Sequence, residues 1–262
     1  MACLASRRLG QTKGPFIVWV FFTLYFAILI LFGRSLGGAF PQYVTVSVIL
    51  GLLFGIAEGY GVLLVFLVVF LALWEKRRSL RQIFSGIGLG KTGSAKSVLW
   101  SFALFPLLIV IGSMLMVLSS FLGPIPFLSA SVTNTMRYPS WYLYYMILHS
   151  FFPVAVVEEA FARGYMLDRL MPQHPSTLKN GLPAILLSSL LFTLWHLPGY
   201  LVGYRFSVPW VAGLLAFNVF PISVVLSIAY VRAGARNIFG PVLVHFLLDA
   251  MTPILMLVGI QM

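Results

Sequence analysis

Long apolar runs, separated by short polar and basic segments, are the dominant pattern of this chain. A helix that crosses the hydrocarbon core needs about 20 mostly apolar residues. Seven stretches approach or exceed that length, at roughly 16–33, 43–74, 98–121, 141–162, 182–202, 208–231 and 237–258. The second is long enough for a tilted helix that projects beyond the bilayer, with Glu58-Gly59 as a possible kink. Pro198-Gly199 ends or bends the fifth, and Pro221 lies inside the sixth. The pattern predicts an all-α, polytopic membrane helix bundle of about seven transmembrane helices. It forms one membrane domain over 1–262: residues 1–140 supply three spans and their connections, and residues 141–258 a four-helix core.

Charge gives the bundle an orientation. With the N-terminus in the cytoplasm, 14 of the 17 Lys and Arg fall in cytoplasmic segments, and only Arg34, Arg137 and Arg205 fall outside them. Adding or removing one span would break this alternation. The formal net charge of +11 is therefore a topology signal and not a nucleic-acid footprint. The basic segment 75–97 reads as a cytoplasmic interfacial stretch, and the Pro/Ser/Thr-rich 122–140 as an irregular outside loop. Composition agrees: 60% of residues are hydrophobic and 9% charged, and the mean hydropathy is +1.00. The single cysteine, Cys3, excludes an intramolecular disulfide and a cysteine-based metal cluster. The first apolar run is expected to be a retained helix, because no small-residue cleavage site follows it. The chain is thus expected to be a multi-pass integral protein of a bacterial or archaeal plasma membrane, with the lipid bilayer as partner and no nucleic acid.

The rare acids carry the candidate chemistry. Of six Asp and Glu, Glu75 and Asp168 lie in loops, while Glu58, Glu158, Glu159 and Asp249 lie within or at the edge of spans. A charge at mid-bilayer costs about 2.5–3.5 kcal/mol on insertion scales, so these groups must pair, protonate or face water. Neighbours on a helix point about 100° apart. Glu159 and Arg163 share a face at i,i+4 and can pair, which leaves Glu158 free for chemistry. His245 and Asp249 are also one turn apart, placing a carboxylate beside an imidazole. His196 shares a face with Phe192. Glu58 has no evident partner, and His149 and His174 do not fit the cluster. A histidine alone in an apolar helix is usually an interhelical hydrogen bonder; two of them, each on a span that starts from the cytoplasmic side, together with the acids suggest a hydrolytic site inside a membrane.

These residues fall into three short motifs. Glu158-Glu159-Ala-Phe-Ala-Arg163 has the form Glu-Glu-x-x-x-Arg, Phe192-Thr-Leu-Trp-His196 the form Phe-x-x-x-His, and His245-Phe-Leu-Leu-Asp249 the form His-x-x-x-Asn/Asp. In this order, on three spans, they resemble the CPBP family of CAAX proteases and bacteriocin-processing proteins (the ABI family), which includes the type II CAAX prenyl endopeptidases. The resemblance covers roughly residues 140–252. It implies an intramembrane endopeptidase whose site opens toward the cytoplasm. Glu158 and His196 would hold and deprotonate a water, His245 and Asp249 would stabilise the oxyanion, and Glu159 and Arg163 would support them. Asp249 stands where some members carry Asn. An ionised carboxylate would repel an oxyanion, so Asp249 must act protonated, orient His245 or ligate a metal.

The family has been read as glutamate-dependent and as zinc-dependent. Glu158, His196 and His245 could make a three-ligand zinc site. The His-Glu-x-x-His zinc helix is missing, and metal-free glutamate chemistry with no cofactor is the expectation adopted. Candidate substrates are a peptide or membrane-protein segment, including a prenylated CAAX tail or a bacteriocin leader. Two rival expectations stand beside the protease: a non-catalytic immunity or scaffold member of the same family, and a proton-coupled transporter using the same buried acids.

Overall fold

The computed structural model describes residues 13–28, 60–90, 93–122, 140–171, 178–203, 207–234 and 237–257. Glu58, His174, Arg34, Arg137, Arg205 and most of the 122–140 loop lie outside them. Among the described residues every regular element is a helix. They are α1 (Lys13–Ile28), α2 (Gly61–Leu73), α3 (Leu80–Gly86), α4 (Ser94–Ala103), α5 (Phe105–Leu122) and α6 (Leu143–Leu170). They continue with α7 (Leu178–Trp195), α8 (Leu197–Gly203), α9 (Val208–Arg232) and α10 (Phe239–Leu257).

By length and composition, three helical segments are able to cross a membrane: α6, the run Asn180–Leu201 through α7 and α8, and α9. The pair α4–α5, bent by 44°, is a fourth if counted as one span. Lys13–Ile28, Gly61–Leu73 and Phe239–Met251 are apolar but shorter. Part of each of the seven expected stretches is helical among the described residues, with 29–33 and 43–59 lying outside them; the described helices supply three full-length spans, or four with the bent pair, and not the seven expected. These apolar helices make the chain an integral membrane protein.

Helix α7 shows how a lipid-facing sequence is organised. Leu182, Leu186, Leu187, Leu190 and Leu194 are exposed, whereas Ala184, Ser188, Ser189 and Thr193 are buried. Lipid tails are as apolar as leucine, so leucine gains nothing by facing inward; small residues let backbones approach, and their hydroxyls bond across helices. Ser188 donates to the Ala162 carbonyl at 2.9 Å, joining α7 to α6. Two indoles fasten α1 to this unit: Trp19 Nε1 donates to the Leu191 carbonyl at 2.7 Å, and Trp195 Nε1 to the Phe22 carbonyl at 3.3 Å. Phe22 stacks on Phe161 of α6 at 4.1 Å.

Helix α10 packs against α4 and α6, and α7 packs against α9. Its start is fixed by Asn237, whose Oδ1 accepts from the Phe239 amide at 2.8 Å in N-cap fashion. The Asn237 carbonyl accepts from Ser97 Oγ at 2.7 Å, and its amide nitrogen donates to the Gly90 carbonyl. Two glycines make close contacts possible. A Cβ at Gly164 would overlap the Ile87 carbonyl, and one at Gly240 would overlap that of Ser97. The loop after α3 is thereby seated directly on α6.

Candidate active site

The two glutamates sit on one regular turn, Val156–Glu159, between two wider π-helical stretches, Ser150–Ala155 and Ala160–Leu167. Pro153 lies in the first; it has no N–H to donate to the helical ladder, which suits an irregular turn there. The expectation that the fourth span ends near residue 162, with the glutamates at its tip, is corrected: the helix continues to Leu170. The reason is that its polar residues find partners. Arg163 is completely buried, and the helix ends in a cluster where Arg169 bonds Glu75 at 2.7 Å and Asp168 at 3.1 Å. Burial pushes the Glu75 carboxyl up, but the hydrogen bonds and charges of Arg169 and Arg77 outweigh it and hold Glu75 below its ordinary value of 4.5.

Glu159 and Arg163 pair at 2.8 Å, as their i,i+4 spacing predicts. Arg163 also donates to the carbonyl and hydroxyl of Ser223 on α9, at 3.0 and 2.9 Å, and lies 4.9 Å from the Phe192 ring centre. The same Glu159 oxygen faces His245 Nδ1 at 2.8 Å. An ionised carboxylate only accepts, so Nδ1 carries the proton and Nε2 is turned the other way. There it meets Asp249 Oδ2 at 3.4 Å and Glu158 Oε2 at 3.7 Å. The tautomer of His245 is therefore set by Glu159, from another helix, while Asp249 lies beside the opposite nitrogen.

His196 occupies the one-residue turn between α7 and α8. Its Nδ1 is 2.9 Å from the Phe192 carbonyl, which can only accept, so this nitrogen is the donor. Nε2 then offers a lone pair toward Glu158 Oε2 at 3.6 Å, beyond a direct hydrogen bond. Phe192 and Trp195 hold the ring edge-on, at 4.6 and 5.1 Å between centres. The second Glu158 oxygen, Oε1, accepts from Tyr60 Oη at 3.0 Å.

The structure thus brings Glu158, Glu159, Arg163, His196, His245 and Asp249 to one place from three helical segments. Glu158, Arg163, His196, His245 and Asp249 line a cavity of about 130 Å³, together with Asn218 and apolar Phe192, Ile222, Leu226 and Leu248. A water needs about 10–15 Å³ on this measure, so the cavity has room for several. Glu158 is buried and Asp249 exposed, which puts Asp249 on the open side. Among the described residues no group of three or more His, Cys, Asp or Glu is arranged to hold a metal ion.

Three residues of the site had escaped the sequence reading. Tyr60 gave no signal, since a tyrosine in an apolar run is ordinary. Asn218 and Ser223 did give one: each is a polar side chain inside the 208–231 stretch, the same anomaly that singled out the acids. His149 is also nearer than expected, its ring edge-on to Tyr60 at 6.2 Å.

Residues 139–251 match the family model described as Rce1-like, type II CAAX prenyl endopeptidase Rce1-like. The match contains all three motifs and the whole polar cluster except Tyr60. No curated protein and no solved structure matches the chain.

Proposed function

We propose that this chain is an intramembrane endopeptidase of the CAAX protease type, using Glu158 and His196 to activate a water. The observation that carries this reading is the placement of one buried carboxylate 3.6 and 3.7 Å from two imidazoles of two other helical segments, on the wall of a cavity with room for several waters. The family match over residues 139–251 supports the same activity class.

A water lodged between Glu158 Oε2 and His196 Nε2 has two acceptors for its two protons. Its oxygen is then left to attack a peptide carbonyl carbon, while Glu158 takes a proton as general base. The tetrahedral oxyanion needs donors. The Asn218 amide can supply one, and His245 Nε2 another when the ring is doubly protonated. Asp249 beside that nitrogen and Glu159 on Nδ1 hold His245 in place. Collapse of the intermediate breaks the C–N bond, and Glu158 returns its proton to the departing amine. Arg163 compensates the Glu159 charge, so that two adjacent carboxylates can coexist on one turn. The substrate is a peptide or protein segment at the membrane, for which a prenylated CAAX tail is the first candidate; the site opens toward the cytoplasmic face.

The test uses the full-length protein in liposomes with a panel of internally quenched peptides, prenylated and unprenylated. Glu158→Gln and His196→Ala are each expected to abolish cleavage while the thermal midpoint stays within a few degrees of wild type. Normal cleavage by either variant, or none by the wild type on any peptide, sinks the proposal. A non-catalytic scaffold would give the second result.

A further inference from the structure

The side chain that orients the central carboxylate comes from outside the region shared with the endopeptidase family. Tyr60 immediately precedes α2, in the first half of the chain, whereas the family match begins at residue 139. Its hydroxyl donates to Glu158 Oε1 at 3.0 Å. The other oxygen of that carboxylate, Oε2, is the one that approaches His196 and His245. A carboxylate has two oxygens in one plane, so pinning the first decides where the second points. The phenol ring is in turn braced by His149, which lies edge-on to it at 6.2 Å on the same helix that carries Glu158.

We infer that Tyr60 is a positioning residue for the proposed reaction, holding the Glu158 carboxylate so that Oε2 faces the water site between the imidazoles. This rests on the reading of Glu158 as general base, and it adds the N-terminal half of the chain to the machinery. Tyr60 acts through Glu158, the group its hydroxyl bonds. Losing the hydroxyl leaves Glu158 free to rotate and its Oε1 without that donor.

The experiment is steady-state cleavage by Tyr60→Phe, in full-length protein in liposomes, beside wild type and Glu158→Gln. Phenylalanine keeps the ring and its contact with His149. The expected result is a fall in kcat of about 10- to 100-fold, the size associated with one hydrogen bond to a charged group, with KM within about twofold and an unchanged thermal midpoint. A merely structural role would move the midpoint, or KM together with kcat. Wild-type kcat in Tyr60→Phe beside an inactive Glu158→Gln overturns the positioning role and leaves the proposed function standing. Full activity in both overturns the function itself. If Tyr60→Phe does not fold, 3-fluorotyrosine at position 60, nearly isosteric and a stronger donor, is measured instead; an unaltered kcat then counts against the inference and an altered one supports it.

Discussion

Removing Arg163 alone should cost more than removing it together with its partner. Arg163 and Glu159 are both wholly excluded from solvent. Arg163→Leu deletes the 2.8 Å bond to Glu159 and both bonds to Ser223. Among the described residues Glu159 Oε2 has no hydrogen-bond partner, so of these bonds the stranded carboxylate would keep the one from His245 Nδ1. Breaking a buried ion pair from one side costs about 3–5 kcal/mol, because a buried charge is left uncompensated. That is a large share of the roughly 5–15 kcal/mol by which proteins are stable. Glu159→Leu with Arg163→Leu removes the stranded charge as well, and replacing a whole buried pair by apolar residues is often neutral. The double variant should therefore recover most of the loss, with a coupling of about 2 kcal/mol or more. Unfolding in detergent followed by tryptophan fluorescence measures both. Equal stability of Arg163→Leu and wild type would refute the reasoning, and so would strictly additive losses.

Two further predictions concern parts away from the carboxylate pair. Gly164→Ala should destabilise by about 1–3 kcal/mol, an overpacking cost, because its methyl group meets the Ile87 backbone; Gly112→Ala, with open space around it, should not, and thermal midpoints compare the two. The Glu75 cluster should make stability fall with acid. Its carboxyl is held below 4.5, so its contribution is complete above that value and is lost as pH drops through the lowered one. Midpoints of wild type and Glu75→Gln, measured from pH 6 to pH 3, should converge at the acid end; parallel curves would count against it.

Local spacing made part of the site readable. Glu159 with Arg163, and His245 near Asp249, are single-turn relations that helix geometry dictates. The three motifs pointed to convergence but could not supply its details, since Tyr60–Glu158 and Glu159–His245 join residues 98 and 86 positions apart. Spacing shows Asp249 as the neighbour of His245 at 3.4 Å, whereas the closer partner, Glu159 at 2.8 Å, comes from α6. The end of the fourth span was misplaced because Arg163 looks like a terminus by hydropathy. Only its hidden partners on α6 and α9 explain why the helix carries on.

The composition of α6 has a consequence for biogenesis. Its hydropathy of 1.3 is well below the 2.2 of α9, and it carries Glu158, Glu159 and Arg163 inward from its ends. Three such residues would cost roughly 8–10 kcal/mol on a solitary helix at the bilayer centre if each stood unpaired. Glu159 and Arg163 pair within α6, and Tyr60 precedes it, but Ser223 and His245, which complete their bonding, are synthesised later. The full set of bonds that compensates α6 is therefore complete only once α9 and α10 have emerged from the ribosome, so the order of translation bears on when this helix settles in the bilayer.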